Sequence, residues 1–182
     1  MKPRERIIAA LNHKKTDRIP VDLGATESTG ITWIAYNNLK NYLGIKTKTK
    51  VFDLMQLISI VEPEIIKYVG ADAVPLLISS KKWKDWEFKE GQIIEIPEKA
   101  NLKKCKDGST VLLSKSDKVL SRLPAGGYYF DSVYHPLEKV KELDEIEDLD
   151  KKNNFFSSFD WPYYYELRNY SIIQNLQLLE IL

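Results

Sequence analysis

The stretch Arg18 to Ile31, RIPVDLGATESTGI, constrains the fold of this chain more than any other. Ile19, Val21 and Leu23 alternate as a buried strand does, and the run passes through Gly24. Hydroxylic and acidic side chains follow before the next helical pattern begins. In α/β proteins function collects at such a place, where the carboxyl end of a strand feeds the loop before a helix. Asp22, Thr26, Glu27, Ser28 and Thr29 supply two carboxylates and three hydroxyls there. The more ordinary use of Thr26 to Thr29 is to cap the following helix.

Helical and strand patterns alternate around this stretch. Pro3 suits a first helical turn, and Ile7, Ile8 and Leu11 recur at helical spacing. A second helix is expected from Ile31 to Leu43, with Ala35, Leu39, Tyr42 and Leu43 on one side and Gly44 as its stop. The run Val51 to Ile60, VFDLMQLISI, is apolar enough to be buried, but its period does not separate strand from helix. Pro63 opens a helix that ends at Gly70, with Ile65, Ile66 and Val69 inward. Asp72 to Ile78, DAVPLLI, reads as a second buried strand, although Pro75 argues against a central position. This order predicts an α/β fold with a right-handed crossover to a parallel strand.

The texture changes at Ser79. From Trp83 to Leu123 short alternating segments are cut by turns, and Asp107-Gly108 is a strong hairpin signal. The expectation is an antiparallel meander inserted between α/β units, with its tryptophans packed against one face. Three segments result: residues 1–80 as α/β units, 81–123 as the β insertion, and 124–182 as a return loop and a C-terminal helical segment. In the return loop, PAGGYYFD, Gly126-Gly127 reads as a tight turn. Tyr128, Tyr129, Asp131, Tyr134 and His135 gather groups that donate protons or orient a carboxylate. Leu137 to Leu149 reads as an acidic helix. The apolar run Leu176, Leu178, Leu179, Ile181 and Leu182 calls for another element to cover it.

Composition narrows the function classes. A formal net charge of +1 gives no general pull toward nucleic acid or anionic membrane. The lysines of Lys46 to Lys50 lack the aromatic neighbours of a nucleic-acid site. No apolar run reaches the length of a membrane span, and the opening MKPRERIIAALNH lacks a signal-peptide core. Cys105 is the single cysteine, so no intrachain disulfide forms and the cytoplasm is the expected compartment. Nucleophile-elbow, Walker and dinucleotide fingerprints are absent. Cys105, His13 and His135 stand far apart, so no soft-ligand metal site is expected. His13 reads as a charge complement at a helix C-terminus.

The opening MKPRERIIAALNHKKTDRIPVDLG resembles the start of the uroporphyrinogen decarboxylase superfamily, which includes corrinoid-dependent methyltransferases. The similarity continues through TGITWIAYNNLKNYLGI, VFDLMQ, VGADAVPLL and LPAGGYYFDSVYHPL. The resemblance implies the N-terminal portion of a (β/α)8 TIM barrel, a full barrel taking roughly 250 residues. In the decarboxylases an arginine-rich loop after the first strand grips substrate carboxylates. Here that place holds Leu23-Gly24-Ala25-Thr26-Glu27-Ser28, without arginine, so the methyltransferase branch fits better. That branch binds zinc through a His-x-Cys pair and a later Cys and draws a methyl group from methylcobalamin. This chain has no His-x-Cys. Zinc and cobalamin are therefore expected of the full-length family and not of this chain.

By the same resemblance Asp22, Thr26, Glu27 and Asp72 would orient substrate near the upper rim, with Tyr129, Asp131 and His135 behind them. The catalytic residues stay unassigned. Three functions are open: an N-terminal part of a methyltransferase-type barrel, a remnant without activity, or a binding module that dimerises or pairs with a complementing C-terminal half. The expected partners are a small-molecule substrate or a corrinoid protein, with neither nucleic acid nor membrane. A decarboxylase-like lyase of tetrapyrrole metabolism is the alternative chemistry.

Overall fold

The computed structural model describes residues 1–75, 82–89, 91–114, 117–135, 138 and 141–142. The end of the expected second strand (Leu76 to Ile78), the expected acidic helix Leu137 to Leu149 apart from residues 138 and 141–142, and the apolar run Leu176 to Leu182 lie outside the described residues. The helices are α1 (Pro3–Leu11), α2 (Trp33–Tyr42) and α3 (Pro63–Val69), with a 3-10 turn at Glu27–Thr29. The strands are β1 (Val51–Asp53), β2 (Ile58–Ser59), β3 (Trp83–Lys89), β4 (Gln92–Pro97), β5 (Leu102–Lys104), β6 (Thr110–Leu113), β7 (Val119–Leu123) and β8 (Asp131–Ser132).

These elements overturn the expected α/β, partial (β/α)8 TIM-barrel architecture. Among the described residues the strands pair with their neighbours in sequence, in sheets β1-β2, β3-β4 and β5-β6-β7-β8. β1-β2 and the four-stranded sheet are antiparallel. Parallel pairing among the described residues is confined to a single bridge, Lys50 with Glu95. Two local causes are visible. The segment Ile19 to Leu23 is extended but joins no ladder, and Ile19 is 84% exposed rather than buried. Pro20 has no N–H to offer a neighbouring strand. Both backbone groups of Val21 are taken by Asp72, whose Oδ2 accepts the Val21 N–H at 2.9 Å and whose N–H donates to the Val21 carbonyl at 2.7 Å.

The second cause is the run Val51 to Ile60. It turns back on itself as the hairpin β1-β2, so a crossover has no strand to start from. Asp53 Oδ1 accepts the Met55 N–H at 2.8 Å in the connecting turn. Leu57, at φ +57, closes it in the left-handed region while buried.

The chain divides into two compact units, Met1–Ser79 with Trp83–Ile96, and Ser80–Lys82 with Pro97–Leu182. In the first, Tyr36, Val61 and Ile65 are buried, and Leu23, Ile31, Leu39, Leu43, Ile45, Ile66 and Val69 pack on them. The buried face of α2 is Trp33, Tyr36 and Lys40, whereas Ala35 and Tyr42 point outward, Tyr42 with 81% exposure. That stripe is rotated from the expected one because the two large aromatics, three residues apart, claim the interior. The Trp33 ring meets Phe88 of β3 at 5.0 Å between centroids. Trp83 of β3 is half-buried and carries the Lys50 ammonium over its ring at 5.5 Å.

The second unit is a sheet around β6, whose four residues are all buried. Leu123 and Phe130 are buried with Val111, Leu112 and Leu113. The turn from β5 to β6 runs through Asp107-Gly108. Gly108 takes φ +80, and Asp107 Oδ1 accepts from the Ser109 N–H at 3.0 Å and its hydroxyl at 2.6 Å. These bonds hold the exposed Asp107 carboxyl below its usual range, with help from Arg122 at 3.0 Å.

Candidate functional site

Asp72 leads from the sequence to an unexpected environment. Its side chain is fully shielded from solvent and is gripped by two arginines. Arg18 reaches it in the bidentate manner a guanidinium favours, Nη1 to Oδ2 at 2.7 Å and Nη2 to Oδ1 at 2.9 Å. Arg6 donates to Oδ1 from α1. Burial pushes the Asp72 carboxyl up, but the Val21 N–H and the two arginines outweigh it and hold the carboxyl below its usual range.

Arg6 also binds Asp17, through Nε to Oδ1 at 2.6 Å and Nη2 to Oδ2 at 2.8 Å. Asp17 in turn takes the N-terminal ammonium at 2.9 Å, and hydrogen bonds from Arg6 and that ammonium hold it far below its usual range. The result is a closed network of two acids and two arginines that ties α1, the extended segment and Asp72 together. It also explains why Arg6 is buried on α1 while Ile8 and Leu11 are exposed. Of Ile7, Ile8 and Leu11, whose helical spacing marked α1, only Ile7 is half-buried.

The loop after Leu23 folds on itself. Thr26 Oγ1 accepts the Thr29 N–H at 3.3 Å, and the Thr26 N–H donates back to Thr29 Oγ1 at 3.1 Å. These bonds cap the 3-10 turn Glu27–Thr29, whereas α2 starts later, after Thr32, which gives no side-chain cap. Gly24 permits the loop to leave the extended segment. It takes φ +82, and a Cβ there would lie 2.6 Å from Val61 Cγ2. Asp22 is exposed, its Oδ1 accepting the Ala25 N–H at 3.0 Å, and Glu27 and Ser28 face solvent.

The structure thus places Asp22, Thr26, Glu27 and Asp72 in the first unit, with Asp72 committed to the arginines. Tyr129, Asp131 and His135 belong to the second unit, and all three are exposed. Asp131 lies in β8, opposite Arg122 of β7.

A second polar cluster was not foreseen in the sequence. The Tyr36 hydroxyl donates to Glu62 Oε2 at 3.1 Å and accepts the Glu62 N–H at 2.7 Å. Thr47 Oγ1 donates to Glu62 Oε1 at 2.5 Å, and Lys40 Nζ lies 2.9 Å from Oε2, off the line of a good hydrogen bond. Burial pushes the Tyr36 phenol up. Burial also pushes Glu62 up, but Thr47, Lys40 and Tyr36 together hold it below its usual range. Lys40 follows Tyr36 by one helical turn, the only local signal of this pairing, because Glu62 comes from the start of α3. Beside the cluster a groove of about 370 Å³ opens, lined along α2 from Trp33 to Asn41, by residues 45–49, and by residues 91–93.

Among the described residues no three His, Cys, Asp or Glu side chains come together as a metal requires. The groove stands at the lower end of small-molecule pockets. No helix among the described residues is long and apolar enough to cross a membrane. Comparison with protein-family models, with curated proteins and with solved structures finds no match for this chain.

Proposed function

We propose that this chain is an N-terminal part of a methyltransferase-type member of the uroporphyrinogen decarboxylase superfamily, one that supplies framework and small-molecule contacts and no complete catalytic set of its own. One observation carries the reading. The charged residues inside the resembling motifs, Arg6 of RERII, Asp17 and Arg18 of DRIPVD, and Asp72 of VGADAV, meet in a single network. A shared sequence pattern explained by mutual contacts of this kind is a pattern of architecture, which supports kinship without requiring shared chemistry. Of the residues the resemblance assigns to a small-molecule substrate in the first unit, Asp22, Thr26 and Glu27 remain exposed beside that framework. The lack of arginine in the loop after Leu23 favours this branch over decarboxylation, because acetate side chains need cationic partners.

The test has two parts. The purified chain, given methylcobalamin, zinc and a thiol acceptor, is expected to leave the corrinoid spectrum unchanged, and given uroporphyrinogen it is expected to release no carbon dioxide. Turnover in either assay overturns the reading. Mixed with the separately expressed half of a methyltransferase of this superfamily that carries His-x-Cys, the chain is expected to co-elute on size exclusion and restore demethylation. Separate elution at micromolar concentration also overturns it.

A further inference from the structure

The groove beside α2 has an electrostatic character that neither the family resemblance nor the arginine network accounts for. Lys40, Lys46 and Lys48 line it, and none of its described lining residues is Asp or Glu. The chain as a whole is nearly balanced, with 27 basic and 26 acidic residues, so three lysines without a facing carboxylate mark a local excess. The acids that neutralise two of them stand outside the lining: Glu62 beside Lys40 and Asp85 beside Lys48, the latter at 2.6 and 2.9 Å. Lys46 is exposed and has neither an ion pair nor a hydrogen bond among the described residues.

The floor adds a second, independent observation. Trp33 and Lys40 are both more than nine-tenths buried and both line the groove. The Trp33 indole Nε1–H is shielded from solvent and has no hydrogen-bond acceptor among the described residues, whereas the equally shielded Lys40 ammonium is ion-paired with Glu62 at 2.9 Å. Leaving a buried donor without an acceptor costs on the order of 1–3 kcal/mol, so the Trp33 N–H in this groove calls for an explanation. Above them the α2 face presents Asn38 and Asn41, exposed amides that make no side-chain hydrogen bond among the described residues. Asn37 is already engaged as acceptor for the Thr49 hydroxyl, which ties α2 to the segment 45–49 and fixes the width of the groove.

We infer that this groove binds a small organic anion, a molecule with a carboxylate or phosphate head and a hydrogen-bonding body. The head sits toward Lys46, whose charge no described acid balances, and within reach of the Trp33 side of the groove. The amides of Asn38 and Asn41 hold the body. A volume of about 370 Å³ admits a ligand of central-metabolite size and excludes a polymer. This assignment stands whether or not the family kinship does.

The experiment is a titration of the whole isotopically labelled chain with inorganic phosphate and, separately, with citrate, following the Trp33 indole N–H and the backbone amides of Gly91, Gln92 and Ile93. Saturable shifts at these positions are expected with at least one anion, and no shifts with the neutral sugar glucose. Lys46→Glu, an exposed reversal that leaves the core untouched, should weaken binding roughly tenfold, the order expected for losing a charged hydrogen-bond donor. Asn41→Leu, on the exposed rim, should weaken binding roughly fivefold by the loss of one neutral hydrogen bond. Phosphate saturating alone assigns a phosphate head, and citrate saturating alone a carboxylate head. The inference is overturned if neither anion moves these resonances, or if binding is indifferent to both Lys46→Glu and Asn41→Leu.

Discussion

The two units of this chain bury polarity in different ways. In the first, Arg6, Lys40 and Asp72 are buried charges, and each is met by an opposite charge. In the second, the buried polar residues among those described are hydroxyls, Ser109, Thr110, Ser114 and Ser121. The first unit holds its strands in two-stranded pairs, β1-β2 and β3-β4, and its helix α1 and the segments around Asp17 and Asp72 are fixed by ion pairs that specify partners one by one. The second has a four-stranded antiparallel ladder around Val111, Leu112 and Leu113, and needs no buried charge to set its register. Buried ion pairs contribute little net stability against an apolar equivalent but are costly to break on one side. The first unit should therefore be the more sensitive to single substitutions, to acid and to salt.

The sharpest way to break this contrast is a matched pair of glycine changes. Gly24→Ala in the first unit meets both a left-handed backbone and Val61 at 2.6 Å, and should cost about 3 kcal/mol from the sum of the two effects. Gly108→Ala in the second unit, at φ +80 with Ala125 Cβ at 3.3 Å, should cost about 1 kcal/mol. Hydrogen exchange read separately over each unit checks both. Equal losses would remove the distinction.

Asp72→Asn comes next. It leaves Arg6 and Arg18 without their shared acid and should cost about 2 kcal/mol, less than the roughly 3–5 of a fully buried pair because Arg18 is 43% exposed. The pH dependence has a definite sign. A carboxyl held below its unfolded value stabilises above that value, near pH 4, and the contribution is lost as pH falls through the lower folded value. Glu62 acts in the same direction. Asp53, pushed up by burial, runs the opposite way and offsets part of the loss. Urea midpoints of the first unit should thus fall on acidification below about pH 4, and Asp72→Asn should flatten that fall. The second unit should respond less, since Asp107 is exposed and screened.

The smallest of these effects sharpens the comparison inside the first unit. Tyr36→Phe keeps the buried ring and removes the hydroxyl that accepts the Glu62 N–H and donates to its carboxylate. The expected loss is about 1 kcal/mol in thermal or urea unfolding. A neutral result would mean that Lys40 and Thr47 alone hold Glu62.

Local features of this fold were legible in the sequence. Pro3 marks the start of α1, Pro63 and Gly70 bound α3, and Asp107-Gly108 turns β5 into β6. Each depends on the conformational limits of a few adjacent residues. The inward face of α3, Ile65, Ile66 and Val69, was legible too, but the faces of α1 and part of α2 were not, because periodicity assumes that charges point outward. Arg6 reverses that rule on α1 through partners 11 and 66 residues away. The sheet was misread for a related reason. An order of helices and strands does not say which strands pair, and the expected order favoured a parallel crossover. Pro75 was the residue that argued against a central strand, and Pro20, which has no N–H to give a neighbouring strand, was passed over. Of the candidate site, Asp72 was visible as an acid but not as the centre of a network, and the groove depends on packing between α2 and residues 91–93 that no short motif encodes.

The corner of the β1-β2 hairpin carries a consequence for the history of the chain. Leu57 is held at φ +57 and yet is only 1% exposed, so the site asks for a glycine backbone and a leucine side chain at once. Relaxing the backbone with glycine would forfeit roughly 2–5 kcal/mol of packing, and keeping the side chain retains a backbone penalty of roughly 1–2 kcal/mol. A position caught between two such penalties has no better single-step neighbour. Substitutions elsewhere would have to reshape the turn before this one could drift, which makes the corner a slow-changing anchor in an otherwise permissive loop.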